Sequence, residues 1–272
     1  MVTSDFIPFL SPSRPFVMAH RGDQTVSPEN SLLALKNASL LEIDFIETDI
    51  RLTKDQELIL FHDDTLDRTT NASGRMIDFT LDQLEKKVDL GYRFTLDEGK
   101  TFPCRGKDWR VVTLRQAFRI FPDVRFNLDI KNSEPEAPCL LAELITEFGR
   151  ESSILVGSFH HEQIVKFRKL LPNVPTAASP KEVKNFVLRH KFRINRLISP
   201  KYLALQVPVH YNGNRIVTPS LIKDAHMGNI AVHVWTINDR PTMEWLIGLG
   251  VDGIFTDDPW LLLEALQEKS LI

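Results

Sequence analysis

A short apolar run followed by an amphipathic stretch recurs along almost the whole of this sequence. From about Val111 onward the alternation is plain. Val124–Ile130 reads VRFNLDI, with Val124, Phe126, Leu128 and Ile130 on one face of a strand and Arg125, Asn127 and Asp129 on the other. Cys139–Phe148 follows as a helix, its apolar residues Leu140, Leu141, Leu144, Ile145 and Phe148 at helical spacing. Ile154–Gly157 reads as the next strand and Gln163–Leu171 as the next helix. The punctuation keeps the same beat. Ser179-Pro180-Lys181-Glu182 combines an N-cap serine, proline at N1 and glutamate at N3. Thr218-Pro219 and Asp258-Pro259 open two later helices in a similar way, and Gly228 and Gly250 read as helix stops. The strand-like runs Tyr202–Gln206, Ala231–Thr236 and Asp252–Thr256 lie between them.

The N-terminal part adds a strand at Phe16–Ala19, a helix at Asn30–Leu40, a strand at Ile43–Ile50 and a short strand at Glu57–Phe61. Strand starts at Phe16, Ile43, Val124, Ile154, Val174, Tyr202, Ala231 and Asp252 make eight. Such alternation demands parallel strands joined by right-handed crossovers. Eight units in 272 residues predict an α/β fold, a single (β/α)8 TIM-type barrel. Residues of about 63–110 break the rhythm with turn formers, charges and one helical patch near Leu81–Val88. They read as a small insertion in an early βα loop, so that 1–272 is expected to form one barrel domain.

With 43% hydrophobic and 25% charged residues the chain can bury a sizeable core. A net charge of −3 speaks against a general nucleic-acid binder and leaves room for a locally positive pocket. Cys104 and Cys139 are too few and too isolated for a disulfide framework or a cysteine-rich zinc site. No stretch approaches 18 apolar residues, and the opening MVTSDFIPFLSPSRPF lacks a basic segment followed by an apolar run. The expectation is a cytoplasmic protein without a transmembrane segment. Two glycosylation-type tripeptides, at Asn37 and Asn71, are expected to be chance matches.

Polar and ionisable residues gather at the C-terminal ends of the strands, where parallel barrels place their active sites. His20-Arg21-Gly22-Asp23 ends the first. Glu47 and Asp49, two apart, share a face of the second. His62 and Asp63 end the short extra strand, and Asp129 and Lys131 share the polar face of VRFNLDI. Three carboxylates from two strands cannot all be buried unpaired, because each isolated charge costs several kcal/mol. A divalent cation resolves this, and an all-oxygen set favours Mg²⁺ or Ca²⁺ over zinc. Two histidines beside it suit a general acid and base near neutral pH. Arg21 and Lys131 supply positive charge for a phosphate, Arg21 with a bidentate fork. Metal, acid, base and cationic clamp together describe phosphoester hydrolysis.

HRGD with Ser27-Pro28-Glu29-Asn30, then ETDIRLTKDQELILFHDDTLDRTTNASG, resembles the N-terminal signature of the glycerophosphodiester phosphodiesterases. NLDIK around Asp129, Ser158-Phe159, ALQVP, VHVWTIND and VDGIFTDDP also match, so the resemblance runs in order from about Phe16 to Leu266. It implies His20 and His62 as the acid/base pair and Glu47, Asp49 and Asp129 as ligands of Mg²⁺ or Ca²⁺, with Mn²⁺ as an alternative. It implies Arg21 and Lys131 as phosphate contacts, and Phe159 and Trp235 as walls of the glycerol or leaving-group pocket. Many family members carry glutamate where this chain has Asp129, one methylene shorter. The implied reaction converts a small-molecule glycerophosphodiester, such as glycerophosphocholine or glycerophosphoethanolamine, to glycerol 3-phosphate and an alcohol.

His160, His161, His190, His210, His226 and His233 are expected to be structural, although His233 shares a strand face with Trp235. The basic stretch 181–201 reads as a solvated helix face. Its alternative is a weak peripheral contact with anionic lipid, which would suit a lysophospholipase-D-like enzyme acting on lysophospholipids. A third possibility is a barrel without catalysis that serves as a binding scaffold. Nothing in the sequence bears on the oligomeric state.

Overall fold

The structure, a computed structural model, describes residues 12–41, 43–192 and 200–272. Side-chain alternation along each strand separates the inside of the sheet from the outside. In β1 (Phe16–His20), Val17 and Ala19 join apolar clusters built with the helices, whereas Phe16 and Met18 join a cluster inside the barrel. After α1 (Leu32–Ser39), β2 (Phe45–Leu52) repeats the pattern: Phe45 inward, Ile46 and Ile50 outward. β3 (Leu58–Leu60) folds back antiparallel on β2. Then come α2 (Leu81–Lys87), α3 (Leu114–Ile120), β4 (Phe126–Ile130), α4 (Ala137–Glu147), β5 (Ile154–Ser158), α5 (His161–Leu170) and α6 (Pro180–Lys191). The chain continues through β6 (Ala204–Pro208), a hairpin of β7 (His210–Tyr211) and β8 (Asn214–Arg215), α7 (Pro219–Met227), β9 (Ala231–Trp235), α8 (Arg240–Leu249), β10 (Gly253–Thr256) and α9 (Pro259–Glu268).

Seven strands run parallel in the order β5-β4-β2-β1-β10-β9-β6. Residues 175–178 close the ring. Val156 N donates to Pro175 O (3.0 Å) and Ala177 N to Val156 O (2.8 Å) on one side; Ala178 N donates to Ala204 O (2.8 Å) and Leu203 N to Thr176 O (2.9 Å) on the other. The expected strand near Val174 is therefore present only as isolated parallel bridges, Val156 to Thr176 and Ala177 to Ala204. Pro175 has no N–H to offer the ladder, which limits its length. The eight-membered count holds, and the fold is a (β/α)8 TIM-type barrel.

Phe118, Leu141, Ile145, Ile164 and Phe167 pack one half of the layer between strands and helices; Leu221, Ile222, Met243, Leu246 and Leu262 pack the other. Burying each such side chain stabilises by about 1.5–3 kcal/mol. Inside the barrel Phe16, Met18, Phe45, Leu155 and Phe255 form an apolar plug, with Phe16 and Phe45 edge to face at 5.4 Å. A polar layer joins it, in which Gln206 Nε2 donates to Asn127 Oδ1 at 2.7 Å. The plug leaves chemistry only the rim.

The predicted capping box of α6 is present: the Ser179 hydroxyl accepts from Glu182 N, and the Glu182 carboxylate from Ser179 N. Thr218 and Asp258 cap α7 and α9, and Gly250 ends α8 in the left-handed region at φ 76°. Residues between β3 and α3 gather a small core of their own, Phe61, Leu66, Met76, Leu84, Val88, Leu90 and Val111, against Ile59 of β3. The β7–β8 hairpin was not anticipated, although its Asn212-Gly213 turn, with φ of 48° and 75°, carries the strongest short hairpin signal. Among the described residues no helix is long and apolar enough to cross a membrane.

Candidate active site

Register decides which side chains meet. His20 lies opposite Glu47, Glu47 opposite Asn127, and Asp49 opposite Asp129. Neighbouring strands stand roughly 4.8 Å apart, so these groups are adjacent on the inner face. All nine residues singled out from the sequence (His20, Arg21, Glu47, Asp49, His62, Asp129, Lys131, Phe159 and Trp235) line one pocket of about 980 Å³ at the C-terminal mouth.

Arg21 is held in an uncommon backbone conformation, φ 56°, which for a non-glycine residue costs roughly 1–3 kcal/mol. The strain turns its N–H onto Glu47 Oε2 (3.1 Å), while its side chain reaches Glu29 Oε1 (2.9 Å) and Asp49 Oδ2 (3.1 Å). Gly22, at φ 87°, lies so close to α1 that a Cβ there would sit 2.6 Å from Ala34 C. Gly22→Ala is expected to destabilise by about 2–3 kcal/mol, combining left-handed strain with overpacking. A urea midpoint unchanged from the parent would refute this.

Each histidine is backed by a carboxylate. His20 Nδ1 bonds Asp257 Oδ1 at 2.6 Å, and Gln24 and Asn238 each donate to Asp257 at 2.6 Å. His62 Nδ1 bonds Asp63 Oδ1 at 2.6 Å. In both rings it is Nδ1, not Nε2, that the carboxylate holds. Their environments differ in sign. Burial disfavours the charged form of His20, but the Asp257 hydrogen bond and the Glu47 charge outweigh it and raise its pKa. Burial lowers that of His62, and Arg21 and Lys131 add to this, against partial opposition from Asp49 and Asp63.

The acids are equally unequal. Burial and the neighbouring charge of Asp49 push Glu47 up to about 7. Asp49 is just as buried, yet Lys131 and Arg21 hold it below the usual carboxylate range. Lys131 Nζ stands between strands, 3.0 Å from Asp49 Oδ1 and 2.5 Å from Asp129 Oδ2, and lies over the Phe159 ring. Among the described residues no three His, Cys, Asp or Glu side chains are grouped closely enough to hold a metal ion. The three predicted carboxylates thus share a pocket without forming a ready-made cage, because Lys131 is interposed.

The donor set itself fits a divalent cation. All three groups offer oxygen, the buried Asp129 Oδ1 makes no hydrogen bond, and burial together with the charge of Asp49 drives Glu47 toward protonation, which a cation at this place would relieve.

Sequence reading gave no role to Asp257, Asp63, Glu29 or Asn30, although all lie inside the quoted motifs. Asn30 Nδ2 donates to Asp49 Oδ2 (3.1 Å) and its Oδ1 accepts from Thr48 (2.6 Å), so Asn30 belongs to the site and not to α1. Phe159 is half-exposed and meets Trp235 edge to face at 6.0 Å. His233 lies buried beside Phe16 and Phe255, its pKa lowered to about 3 by burial. His160, His161, His190 and His226 bond Lys131 O, Ser179, Asp224 and Asp252 respectively. His210 sits exposed in the hairpin. Of the basic stretch, α6 sends Lys181 and Lys184 to the pocket rim; Arg193 and Arg196 lie outside the described residues.

Carboxylate-backed histidines beside the part-buried cations Arg21 and Lys131, at the C-terminal mouth of a (β/α)8 barrel, make this a barrel enzyme of anionic substrates. Residues 20–261 match the model of the glycerophosphoryl diester phosphodiesterase family. The glycerophosphodiester phosphodiesterase of Caldanaerobacter subterraneus subsp. tengcongensis is 32% identical, over 94% of this chain and 99% of its own length. A human lysophospholipase D is 24% identical, over 93% of this chain and 86% of its own. The structure of an Oleispira antarctica phosphodiesterase in complex with sn-glycerol-3-phosphate superposes with a TM-score of 0.75 over 93% of this chain and 97% of that one, at 23% identity, and so shares the fold. The chain belongs to the glycerophosphoryl diester phosphodiesterase family and is a glycerophosphodiester phosphodiesterase.

Proposed function

We propose that the pocket hydrolyses small glycerophosphodiesters such as glycerophosphocholine or glycerophosphoethanolamine to glycerol 3-phosphate and a free alcohol, with His20 as general acid and His62 as general base. The supporting observation is the opposed tuning of the two rings: one environment favours imidazolium, the other neutral imidazole. His62, neutral, takes the proton of the attacking oxygen at Nε2. His20, charged, delivers one to the departing alkoxide. Asp257 and Asp63 fix the ring orientations, and Arg21 and Lys131 balance the phosphate charge.

Glu47, Asp49 and Asp129 would hold a divalent cation, Mg²⁺ or Ca²⁺ with Mn²⁺ as an alternative. When bound it neutralises charge developing on the phosphate oxygens. Phe159 and Trp235 form a wall for the substrate's organic part.

A second reading has its own support. Beyond the ionic cluster the pocket continues along an apolar wall of Val183, Val187, Val207, Pro208, Ile216 and Trp235, with Tyr211 beside it. That length of apolar surface suits the acyl chain of a lysophospholipid, and the same ionic groups would then act as a lysophospholipase D. Release of glycerol 3-phosphate from glycerophosphocholine, run beside lysophosphatidylcholine with each metal, separates the readings. Turnover of the first substrate is expected. Preference for the second by kcat/KM would replace the first reading, and turnover of neither would leave a binding scaffold.

A further inference from the structure

Arg68, on the loop that leaves β3, takes part in none of the roles above. Its side chain is half-exposed, yet its guanidinium is engaged on two sides. Nε donates to Asp63 Oδ2 (2.6 Å) and Nη2 to Asp63 Oδ1 (3.1 Å); Nη1 donates to Glu29 Oε2 (2.9 Å) and Nη2 to Glu29 Oε1 (2.6 Å). The two carboxylates come from different loops, Glu29 from the β1–α1 connection and Asp63 from the start of the insertion. Each carries a group of the site: Asp63 Oδ1 bonds His62 Nδ1 at 2.6 Å, and Glu29 Oε1 accepts from Arg21 Nη1 at 2.9 Å.

We propose that Arg68 is a positioning residue that clamps Asp63 to Glu29 and so holds His62 and Arg21 in a fixed relation across the phosphate subsite. The proposal rests on the roles assigned to those two residues. Without the guanidinium, two carboxylates that now share its Nη2 would face each other with only Arg21 on Glu29 and His62 on Asp63 to offset them, and like charges at such range repel. Lysine retains the charge but cannot present a planar fork to two carboxylates at once. The insertion is built to support the clamp. Leu66 is buried in its small core, Thr70 Oγ1 donates to Leu66 O (2.7 Å), and Arg93 Nε donates to Thr70 O (3.0 Å), fixing the turn from which Arg68 projects. The insertion thereby acquires a task in the reaction.

The test compares the full chain with R68A, R68K, H62A and the H62A/R68A double variant on glycerophosphocholine, together with thermal melts. R68A is expected to lose about 10–100-fold in kcat, the usual scale for a group that orients a site residue, with Tm close to that of the parent. Free guanidinium should restore part of the loss, and R68K should stay well below the parent. In the H62A background R68A should cost much less than in the parent, because its partner in the chain of contacts is already gone. R68A within twofold of the parent overturns the proposal, as does an undiminished loss in the H62A background. An H62A enzyme at parental rate sinks the histidine assignment and the clamp together, whereas parental rate in R68A alone sinks only the clamp.

Discussion

Alanine at His20 or at His62 is expected to lower kcat about 10²–10⁴-fold, the range for losing a positioned acid or base. The pH profile should carry the signature of both. His62 must be neutral to accept a proton, so the rate rises with pH through its pKa, which burial, Arg21 and Lys131 hold below the ordinary imidazole value. His20 must be protonated to donate one, so the rate falls as pH passes its pKa. Burial alone would bring that limb down, and the Asp257 hydrogen bond with the Glu47 charge carries it above the ordinary value. Asp257→Asn removes a carboxylate bonded at 2.6 Å and is expected to move the high-pH limb to lower pH while leaving the low-pH limb in place. Steady-state kcat between pH 5 and 10 reads both limbs. Either alanine variant within tenfold of the parent would remove that histidine from the mechanism.

The second large effect concerns the proposed cation. Chelation with EDTA, or substituting Asp49→Asn or Glu47→Gln, is expected to lower turnover by at least ~10³-fold. Charge stabilisation at a phosphoryl oxygen is worth several kcal/mol, and each 1.36 kcal/mol is tenfold in rate. Binding should also be coupled to protons. Burial and the charge of Asp49 push Glu47 up to about 7, so a cation binding at low pH would have to displace a proton from it. Titration of Mg²⁺ or Mn²⁺ at pH 6 and pH 8, in buffers of different ionisation enthalpy, measures this without any assay of activity. The expected result is tighter binding at pH 8 and proton release at pH 6. Proton uptake, or full activity in exhaustive chelator, would count against a cation on these carboxylates. The interposed Lys131, bonded to Asp129 and paired with Asp49, gives a further handle.

Much of the architecture was readable from local pattern. Alternation in VRFNLDI put Phe126, Leu128 and Ile130 against the helices and Asp129 inward, as found. A capping box at Ser179 and a glycine stop at Gly250 mark helix ends because both satisfy backbone groups within a few residues. The β7–β8 hairpin escaped because two-residue strands carry no periodicity, and the strand near Val174 shrank to bridges because Pro175 interrupts its ladder.

The nine proposed site residues, which share one pocket, follow from residue type, strand position and family pattern, all properties that survive in a one-dimensional string. Their partners do not. Asp257 lies 237 positions from the histidine it orients, and Arg68 lies 39 from Glu29. Whether Glu47 or Asp49 keeps its proton depends on which cations stand within a few ångströms, and that depends on strand register and barrel closure. Electrostatic energy varies with distance in space and with burial, neither of which the order of residues along a chain specifies. Periodicity and residue pattern, with the family resemblance, thus pointed to the barrel and its polar rim, while three-dimensional packing alone set the charge environments, the interposed Lys131 and the contacts of Arg68.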